Sequence, residues 1–214
     1  MNILFRRRGF FSIGVVCLAA FTTACYAAEG PLIPPEEFVY CTVCHGVQMK
    51  GNVSIEAPRL SGMDKFYVER QLHAFRNGWR GADENDIAGM EMRPMAAILS
   101  DAEIAAAAEY VNAVSSEPPA VTVEGDAGRG KTLYRPCTAC HGANGEGVEA
   151  LGGPPLTGLN DWYLITQLSN FSDGTRGSHP DDTYGAQMRA ATATLKDDTA
   201  IRDVVSYINT LQSR

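Results

Sequence analysis

"CTVCHG", residues 41–46, places two thiols and an imidazole within five consecutive positions, and "CTACHG" repeats the arrangement at residues 137–142. A Cys-x-x-Cys pair followed by His can hold a metal ion, form a redox dithiol or attach a larger group covalently. The sequence around the two copies distinguishes these three kinds of site.

The two motifs belong to an internal repeat with an offset of 96 residues. "YVERQLHAFRNGWRG" overlays "YLITQLSNFSDGTRG", and "GMEMRPMAAIL" overlays "GAQMRAATATL", without a gap. A fixed offset over so many positions indicates a duplicated domain. The Pro-containing stretch "SSEPPAVTVEG" reads as the linker, so we predict domain 1 over residues 29–118 and domain 2 over residues 119–214.

The periodic stretches of each copy are helical. "DKFYVERQLHAFRNG" spaces its apolar residues by three and four, with Asp64 expected to cap the helix start and Gly78 its end. Its twin is expected to be capped by Asp161 and Gly174. No run of alternating strand residues is present, so we predict an all-α protein of two small bundles of short helices.

Two further pairs of helices are expected. "SDAEIAAAAEYVNAV" opens with a Ser100 and Glu103 capping box, and its counterpart begins at Asp197. A third helix is expected before each motif, in "PPEEFVY" and "DAGRGKTLYRP". Units this small, with long Gly/Pro loops, have difficulty stabilising themselves by burial alone, and a large apolar cofactor would complete their cores.

Residues 1–28 read as a secretory signal peptide, because three arginines precede an apolar run and a stretch of small residues. Cleavage after Ala28 or Ala27 is expected, which predicts a periplasmic protein. An uncleaved anchor and lipidation at Cys25 remain alternatives, as does a peripheral membrane association.

Without the predicted signal peptide, the chain has 15 basic and 25 acidic residues. It has no basic stripe for nucleic acid, so nucleic-acid binding is not expected. The acidic surface favours basic protein partners. Domain 1 carries 7 basic and 14 acidic side chains and domain 2 carries 8 and 11, so domain 1 is predicted to be the docking half.

The two motifs are best explained by covalent c-type haem. A zinc site needs four ligands, whereas each copy offers two Cys and one His nearby, and the βαβ context of a thioredoxin-like dithiol is missing. Two thiols three positions apart can form thioethers to the two vinyl groups of one porphyrin, and the next His can reach its iron. We therefore predict two haems, attached at the cysteines and ligated by the histidines of the two motifs: Cys41, Cys44 and His45 in domain 1, and Cys137, Cys140 and His141 in domain 2.

A methionine is the expected second axial ligand in each domain. Met188 is the single methionine after residue 119 and lies 47 residues beyond His141, whereas the competing histidine, His179, lies in the acidic loop "GSHPDD". In domain 1 the region "GMEMRPM" offers three methionines, and the one that also lies 47 residues beyond its motif histidine is Met92. Met90 and Met95 remain alternatives to Met92.

On these motifs, both copies together resemble the diheme cytochrome c4 family of tandem class I cytochrome c domains. The resemblance implies His/Met ligation of both haems and electron delivery from a quinol-oxidising complex toward a terminal oxidase. Two features depart from the family pattern: domain 1 lacks the Gly-rich opening "GDAGRGKTLY" of domain 2, and its loop "VQMKGNVSIEAPRL" is unusual.

The function expected is that of a periplasmic electron carrier, not an enzyme. Its donor would be a quinol-oxidising complex or a dehydrogenase, and its acceptor a terminal oxidase or a small cytochrome. A diheme subunit of a dehydrogenase complex and a diheme redox enzyme are the alternatives. Three repeated pairs are candidates to bond haem propionates, with surface ion pairs or loop bracing as the alternative: Arg80/Arg176, Arg93/Arg189 and Tyr67/Tyr163.

Overall fold

The computed structural model describes residues 34–212, so the predicted signal peptide of residues 1–28 lies outside the described range. The helices of this range are α1 (Cys41–His45), α2 (Lys65–Arg76), α3 (Ile87–Ala97), α4 (Asp101–Ala113), α5 (Ala127–Leu133), α6 (Thr138–His141), α7 (Asp161–Asp173), α8 (Thr183–Thr192) and α9 (Asp198–Gln212). Residues 34–212 contain no β-strand and two isolated bridges, which confirms the all-α prediction. None of the helices described there is long and apolar enough to cross a membrane.

The two halves of the chain repeat one helical arrangement. Helix α2 packs against α3 and α4, and its counterpart α7 packs against α8 and α9. The predicted apolar spacing places Val68, Leu72 and Phe75 on the buried face of α2. The buried residues of both halves form one continuous hydrophobic cluster that extends from Phe38 to Leu211.

Two of the predicted helix starts are confirmed. Ser100 and Glu103 form the capping box of α4, with Ser100 N–H donating to the Glu103 carboxylate at 2.8 Å and Glu103 N–H donating to Ser100 Oγ at 3.3 Å. Asp197 accepts from the Ala200 N–H at 2.8 Å at the start of α9. Asp64 occupies the position before α2, but its side chain accepts no hydrogen bond from the helix.

The prediction that Asp161 caps α7 is wrong, because Asn160 precedes the helix and Asp161 is its first residue. The Asp161 carboxylate is buried and accepts hydrogen bonds from Thr122 N–H at 2.5 Å, Thr122 Oγ1 at 2.7 Å and Val123 N–H at 2.8 Å. This carboxylate therefore fastens the end of the linker to domain 2.

The start of the linker is held by Arg59, a buried side chain of domain 1. Its guanidinium donates to the Ser116 carbonyl at 2.9 Å and to the Glu117 carbonyl at 2.7 Å. The Arg59 backbone N–H also donates to the Asn160 side chain at 2.7 Å, which connects the loops that precede α2 and α7. The predicted limits of the two domains, with the boundary near Pro118, remain predictions.

The segments before the two motifs differ, and one expected helix is missing. In domain 1 it is reduced to a single 3-10 turn, Glu36–Phe38, whereas domain 2 has the full helix α5. Helix α5 packs closely on α9 because Gly130 has no side chain, and a Cβ there would lie 1.9 Å from the Asp203 carbonyl oxygen. An aromatic pair is retained in both: Phe38 with Tyr110 in domain 1 and Tyr134 with Tyr207 in domain 2.

Candidate functional site

The imidazoles of the two motifs are held in the same way. His45 Nδ1 lies 2.7 Å from the Pro58 carbonyl oxygen, and His141 Nδ1 lies 2.8 Å from that of Pro154. A carbonyl can only accept a hydrogen bond, so Nδ1 carries the proton in each ring. The lone pair of Nε2 is therefore free to bind a metal ion, and the carbonyl fixes the orientation of the ring.

Burial favours the neutral forms of four motif side chains, the two histidines and the first cysteine of each motif. Burial lowers the pKa of His45 and of His141, which keeps both rings neutral. Burial also raises the pKa of the Cys41 and Cys137 thiols. All four cysteines of residues 34–212 are free. The same residues contain no group of three His, Cys, Asp or Glu side chains placed to hold a metal ion, so a zinc site would lack its ligands there.

Each motif opens onto an apolar cavity, and the two cavities have the same volume of about 170 Å³. Cavity 1 is lined by both cysteines and the histidine of the first motif, and cavity 2 by those of the second. Met92 lines cavity 1 and Met188 lines cavity 2. The structure therefore brings each motif together with the methionine 47 residues beyond its histidine.

The other methionines near Met92 are placed differently. Met95 also lines cavity 1 but is exposed, whereas Met92 is half-buried and packs against the hydrophobic core. Met90 is exposed and does not line the cavity. The competing histidine of domain 2, His179, does not line cavity 2 and stacks on Trp79 instead.

The two cavities share a wall. Tyr67, Gln71, Tyr163 and Gln167 line both of them. Each pair lies on equivalent positions of α2 and α7, so the wall has the symmetry of the internal repeat.

Two buried arginines cross this wall symmetrically. Arg80 of domain 1 donates to the Gln167 side chain at 2.9 Å and to Tyr163 Oη at 3.3 Å. Arg176 of domain 2 donates to the Gln71 side chain at 2.6 Å and to Tyr67 Oη at 3.3 Å. The sequence showed these residues as repeated pairs, but the hydrogen bonds that cross between the domains were not predicted. The signal in the sequence that these residues have equivalent roles was their shared offset of 96.

The chemistry of both cavities fits a covalently bound haem. Free thiols and a neutral imidazole stand at one side of each cavity, and its walls are predominantly apolar. Arg80 lines cavity 1 and Arg176 lines cavity 2, and within residues 34–212 neither side chain forms a salt bridge. The Arg80 Nε–H, moreover, is buried without a hydrogen-bond partner in that range. A buried guanidinium without a carboxylate partner suits an apolar ligand that carries carboxylates.

A comparison with protein families supports this fit. The Cytochrome c family matches the chain twice, over residues 37–115 and 127–212. Together with the all-α fold and the two apolar cavities that contain the motifs, this match defines a protein with two tandem cytochrome c domains.

Similar proteins specify the type. The chain is 31% identical over 185 residues to cytochrome c4 from Azotobacter vinelandii, covering 80% of this chain and 84% of that protein. It is 35% identical over 178 residues to the thiosulfate dehydrogenase electron acceptor of Stutzerimonas stutzeri (strain A1501), covering 78% and 76%. A solved structure of cytochrome c4 from Acidithiobacillus ferrooxidans matches with a TM-score of 0.64 at 30% identity, covering 79% of this chain and 97% of that one. The chain belongs to the diheme cytochrome c4 family.

Membership of this family confirms several predictions made from the sequence. The protein carries two covalently attached c-type haems and is an electron-transfer protein with redox partners. It is a carrier of electrons and not a catalytic enzyme.

Proposed function

We propose that Cys41 and Cys44 attach the haem of domain 1 and that Cys137 and Cys140 attach the haem of domain 2. The axial ligands in this proposal are His45 with Met92, and His141 with Met188. The observation that carries it is that each cavity brings one complete motif together with the methionine 47 residues downstream. Each haem supplies an iron that accepts and releases one electron.

The surrounding residues prepare each site for electron transfer alone. The Pro58 and Pro154 carbonyls hold the imidazoles in the tautomer that presents Nε2. With the motif histidine and the methionine both bound, the iron of each haem would have no open coordination site, and ligands such as oxygen would be kept from it. The apolar walls exclude water, and both the methionine sulfur and this burial raise the reduction potential.

The buried arginines are proposed to bind the haem propionates. Arg80 and Arg176 place a positive charge in each cavity without a carboxylate partner of the described chain.

Since Gln71, Gln167 and the two tyrosines line both cavities, one layer of side chains separates the two sites. Electrons that enter one domain therefore have a short route to the other.

Single-ligand variants test the axial assignments. In the ferric holoprotein, Met92→Ala and Met188→Ala are each expected to remove about half of the methionine-to-iron charge-transfer band. Met90→Ala is the matched control, because Met90 does not line cavity 1, and it should leave the band unchanged. A full-strength band in Met92→Ala together with a half-strength band in Met95→Ala would assign the ligand to Met95.

The cellular setting proposed is the periplasm, after removal of residues 1–28. The donor would be a quinol-oxidising complex and the acceptor a terminal oxidase or a small cytochrome. The arginine-rich and apolar beginning of the chain supports export, and both haem attachment motifs suit that compartment. Fractionation of cells that express the full chain tests this: haem-stained protein in the cytoplasmic fraction would contradict it.

A second candidate is the electron-accepting partner of a periplasmic dehydrogenase. It is favoured by the 35% identity to a protein named as a thiosulfate dehydrogenase electron acceptor. Purification under mild conditions distinguishes the two candidates. A catalytic subunit that copurifies in stoichiometric amount would favour the dehydrogenase partner, and a monomeric diheme protein would favour the free carrier.

A further inference from the structure

The opening of cavity 1 is acidic and apolar. Five residues both line this cavity and are exposed to solvent: Cys44, Ile55, Glu56, Glu91 and Met95. We call this set mouth 1. Neither of its two carboxylates forms a salt bridge within residues 34–212. Mouth 1 therefore presents two uncompensated negative charges beside two large apolar side chains.

The equivalent opening of cavity 2 has a different character. The residues at the five corresponding positions, which we call mouth 2, also line their cavity; they are Cys140, Leu151, Gly152, Gln187 and Ala191. Mouth 2 therefore has no carboxylate at these positions, and a methyl group replaces the Met95 side chain.

The apolar surface continues beyond mouth 1. Val43, between the two haem-binding cysteines, is 77% exposed, and Ile98, next to Leu99 of the cavity lining, is 71% exposed. Their counterparts in domain 2 are Ala139 and Thr194. Val43 and Ile98 thus add exposed apolar side chains next to residues that line cavity 1, as is typical of a protein interaction surface, whereas mouth 2 has the exposed Leu151 in place of Ile55.

Mouth 2 is covered in part, at Gly152. The Arg70 guanidinium, which comes from α2 of domain 1, donates to the Gly152 carbonyl at 2.7 Å and lies 4.3 Å from the centroid of the Tyr184 ring. Tyr184 in turn stands directly over Gly152, where a Cβ would lie 2.2 Å from the ring. Domain 1 has no such cover, because Arg70 and Tyr184 correspond to Thr166 and Ala88.

The backbone of Glu56 adds an independent observation. Glu56 has a φ of 53°, in the left-handed region, where its counterpart Gly152 has a φ of 71°. A residue with a Cβ is strained in this region, and such strain is concentrated at functional sites. The carboxylate of mouth 1 is therefore present at a position where glycine would be more stable.

We propose that mouth 1 is the docking surface for a basic redox protein, one that presents an apolar patch surrounded by Lys and Arg side chains. The proposal rests on the proposed electron-transfer function and assigns the external electron exchange to the domain 1 haem. Charge complementarity selects this occupant: domain 1 has 7 basic and 14 acidic side chains, so a second copy of the chain would be repelled. Electrons reach the domain 2 site through the wall that both cavities share.

Two double variants, each with two glutamates replaced by glutamine and therefore with the same net charge, test the acidic part of mouth 1. The probe is mitochondrial cytochrome c, a lysine-rich redox protein, and its affinity for the oxidised holoprotein is measured by calorimetry at low ionic strength. Glu56→Gln/Glu91→Gln is expected to weaken binding by about threefold to tenfold, which corresponds to two exposed charge pairs. Glu124→Gln/Glu149→Gln removes two exposed carboxylates from domain 2 and should weaken binding by less than about twofold.

A second pair of substitutions tests the apolar part. Val43→Ala/Ile98→Thr installs the residues that domain 2 has at the same positions. Because the side chains are exposed, the fold should be unaffected, and the affinity should fall by about threefold at both low and high salt. The charge variants, in contrast, should approach the wild-type affinity as salt is raised.

Three results would overturn the docking surface: an equal loss of affinity in the two charge-neutralised proteins, a larger loss in the domain 2 control, or no detectable binding of the probe to the wild type. Self-association of the wild type that disappears in Glu56→Gln/Glu91→Gln would assign mouth 1 to a second copy and would also overturn it. Failure of the proposed function is distinguishable, because it would appear as absent electron exchange with the probe in stopped-flow measurements, whether or not the oxidised proteins bind.

Discussion

Two residues of domain 1 occupy a backbone conformation that domain 2 reserves for glycine. Met49 and Glu56 both have a φ of 53°, and their counterparts Gly145 and Gly152 have values of 73° and 71°. The left-handed region costs a residue with a Cβ about 1 kcal/mol. Met49 is completely buried, so its side chain compensates by filling the core, whereas the exposed Glu56 side chain makes no such contribution.

This contrast predicts opposite effects of the same substitution. Glu56→Gly should raise the free energy of unfolding by about 1 kcal/mol, because it removes backbone strain and no buried contact. Met49→Gly relieves the same strain but leaves a hole in the core, so it should lower the free energy of unfolding by about 2 kcal/mol. Chemical denaturation of the two holoproteins measures both values. A stabilised Met49→Gly protein would show that the backbone strain outweighs the packing of the methionine.

At the scale of single residues, the sequence was most informative where chemistry restricts the residue type. The Cys-x-x-Cys-His motifs and the methionines at equal spacing could be identified because few side chains can perform those roles. The role of Glu56 could not, since neither its backbone conformation nor its place at mouth 1 leaves a signal in the residue type. Its alignment with Gly152 was the available trace.

At the scale of helices, the contact between α5 and α9 depends on one glycine. A Cβ at Gly130 would lie 1.9 Å from the Asp203 carbonyl oxygen, whereas a Cβ at Gly128 would meet only an Asp126 carboxylate oxygen at 3.1 Å. Both glycines lie in α5, so both gain helix propensity on substitution by alanine.

The matched pair Gly130→Ala and Gly128→Ala therefore separates packing from propensity. Gly130→Ala should lower the free energy of unfolding by about 2 kcal/mol, because α5 must move away from α9. Gly128→Ala should change it by less than about 1 kcal/mol, with helix propensity favouring an increase. Thermal unfolding of the two holoproteins provides the measurement, and equal stabilities would mean that α5 adjusts without cost.

The Asp161 carboxylate should make the fastening of the linker depend on pH. Burial alone would raise its pKa, but hydrogen bonds from Thr122, Val123 and Asn209 outweigh burial and hold the pKa below its usual value. A carboxyl group whose pKa is lowered by folding stabilises the protein above its unfolded pKa of about 4, and this contribution is lost as the pH falls further.

Asp161→Asn is therefore expected to lower the free energy of unfolding at pH 7. The difference in this free energy between the variant and the wild type should become smaller as the pH falls from about 5 to 3. Urea denaturation across this range tests the prediction. Glu124→Gln, an exposed substitution near the same segment, serves as the control and should show no comparable narrowing. A constant difference between Asp161→Asn and the wild type would mean that the carboxylate charge contributes nothing to the fastening.

The helices themselves could be predicted only in part. Strong periodicity and a capping box identified α2, α4, α7 and α9, because those signals are local. Helices α3 and α8 were not predicted; α3 contains Pro94, which removes a helical N–H and weakens the pattern. Asp161 was misassigned because a carboxylate before an apolar run serves equally well as a helix cap or as an anchor for distant backbone N–H groups.

At the scale of the whole molecule, the duplication was evident from the sequence, but the joining of the two copies was not. The crossed bonds of Arg80 and Arg176, and the bond from the Arg59 backbone N–H to the Asn160 side chain, connect residues of different domains. A repeat shows which residues are equivalent and carries no information on how the copies face one another. The asymmetry between the copies is likewise visible only when the two mouths are compared in three dimensions.

The difference between the two mouths should give the two haems different reduction potentials. Arg70 places a positive charge at mouth 2 and helps to cover it, and Thr166 at the equivalent position contributes neither effect. A nearby cation disfavours the ferric state and so raises the potential, and exclusion of water acts in the same direction.

Arg70→Gln should therefore lower the potential of the domain 2 haem by an amount on the order of tens of millivolts and leave that of domain 1 nearly unchanged. Arg76→Gln is the matched control: Arg76 lies on the same helix but pairs with Asp101 and lines neither cavity. Spectroelectrochemical titration resolves the two transitions, and the one displaced in Met188→Ala belongs to domain 2. Equal shifts of both transitions in Arg70→Gln would mean that the cation acts on both haems alike, and the position of Arg70 at mouth 2 would then not explain a difference between their potentials.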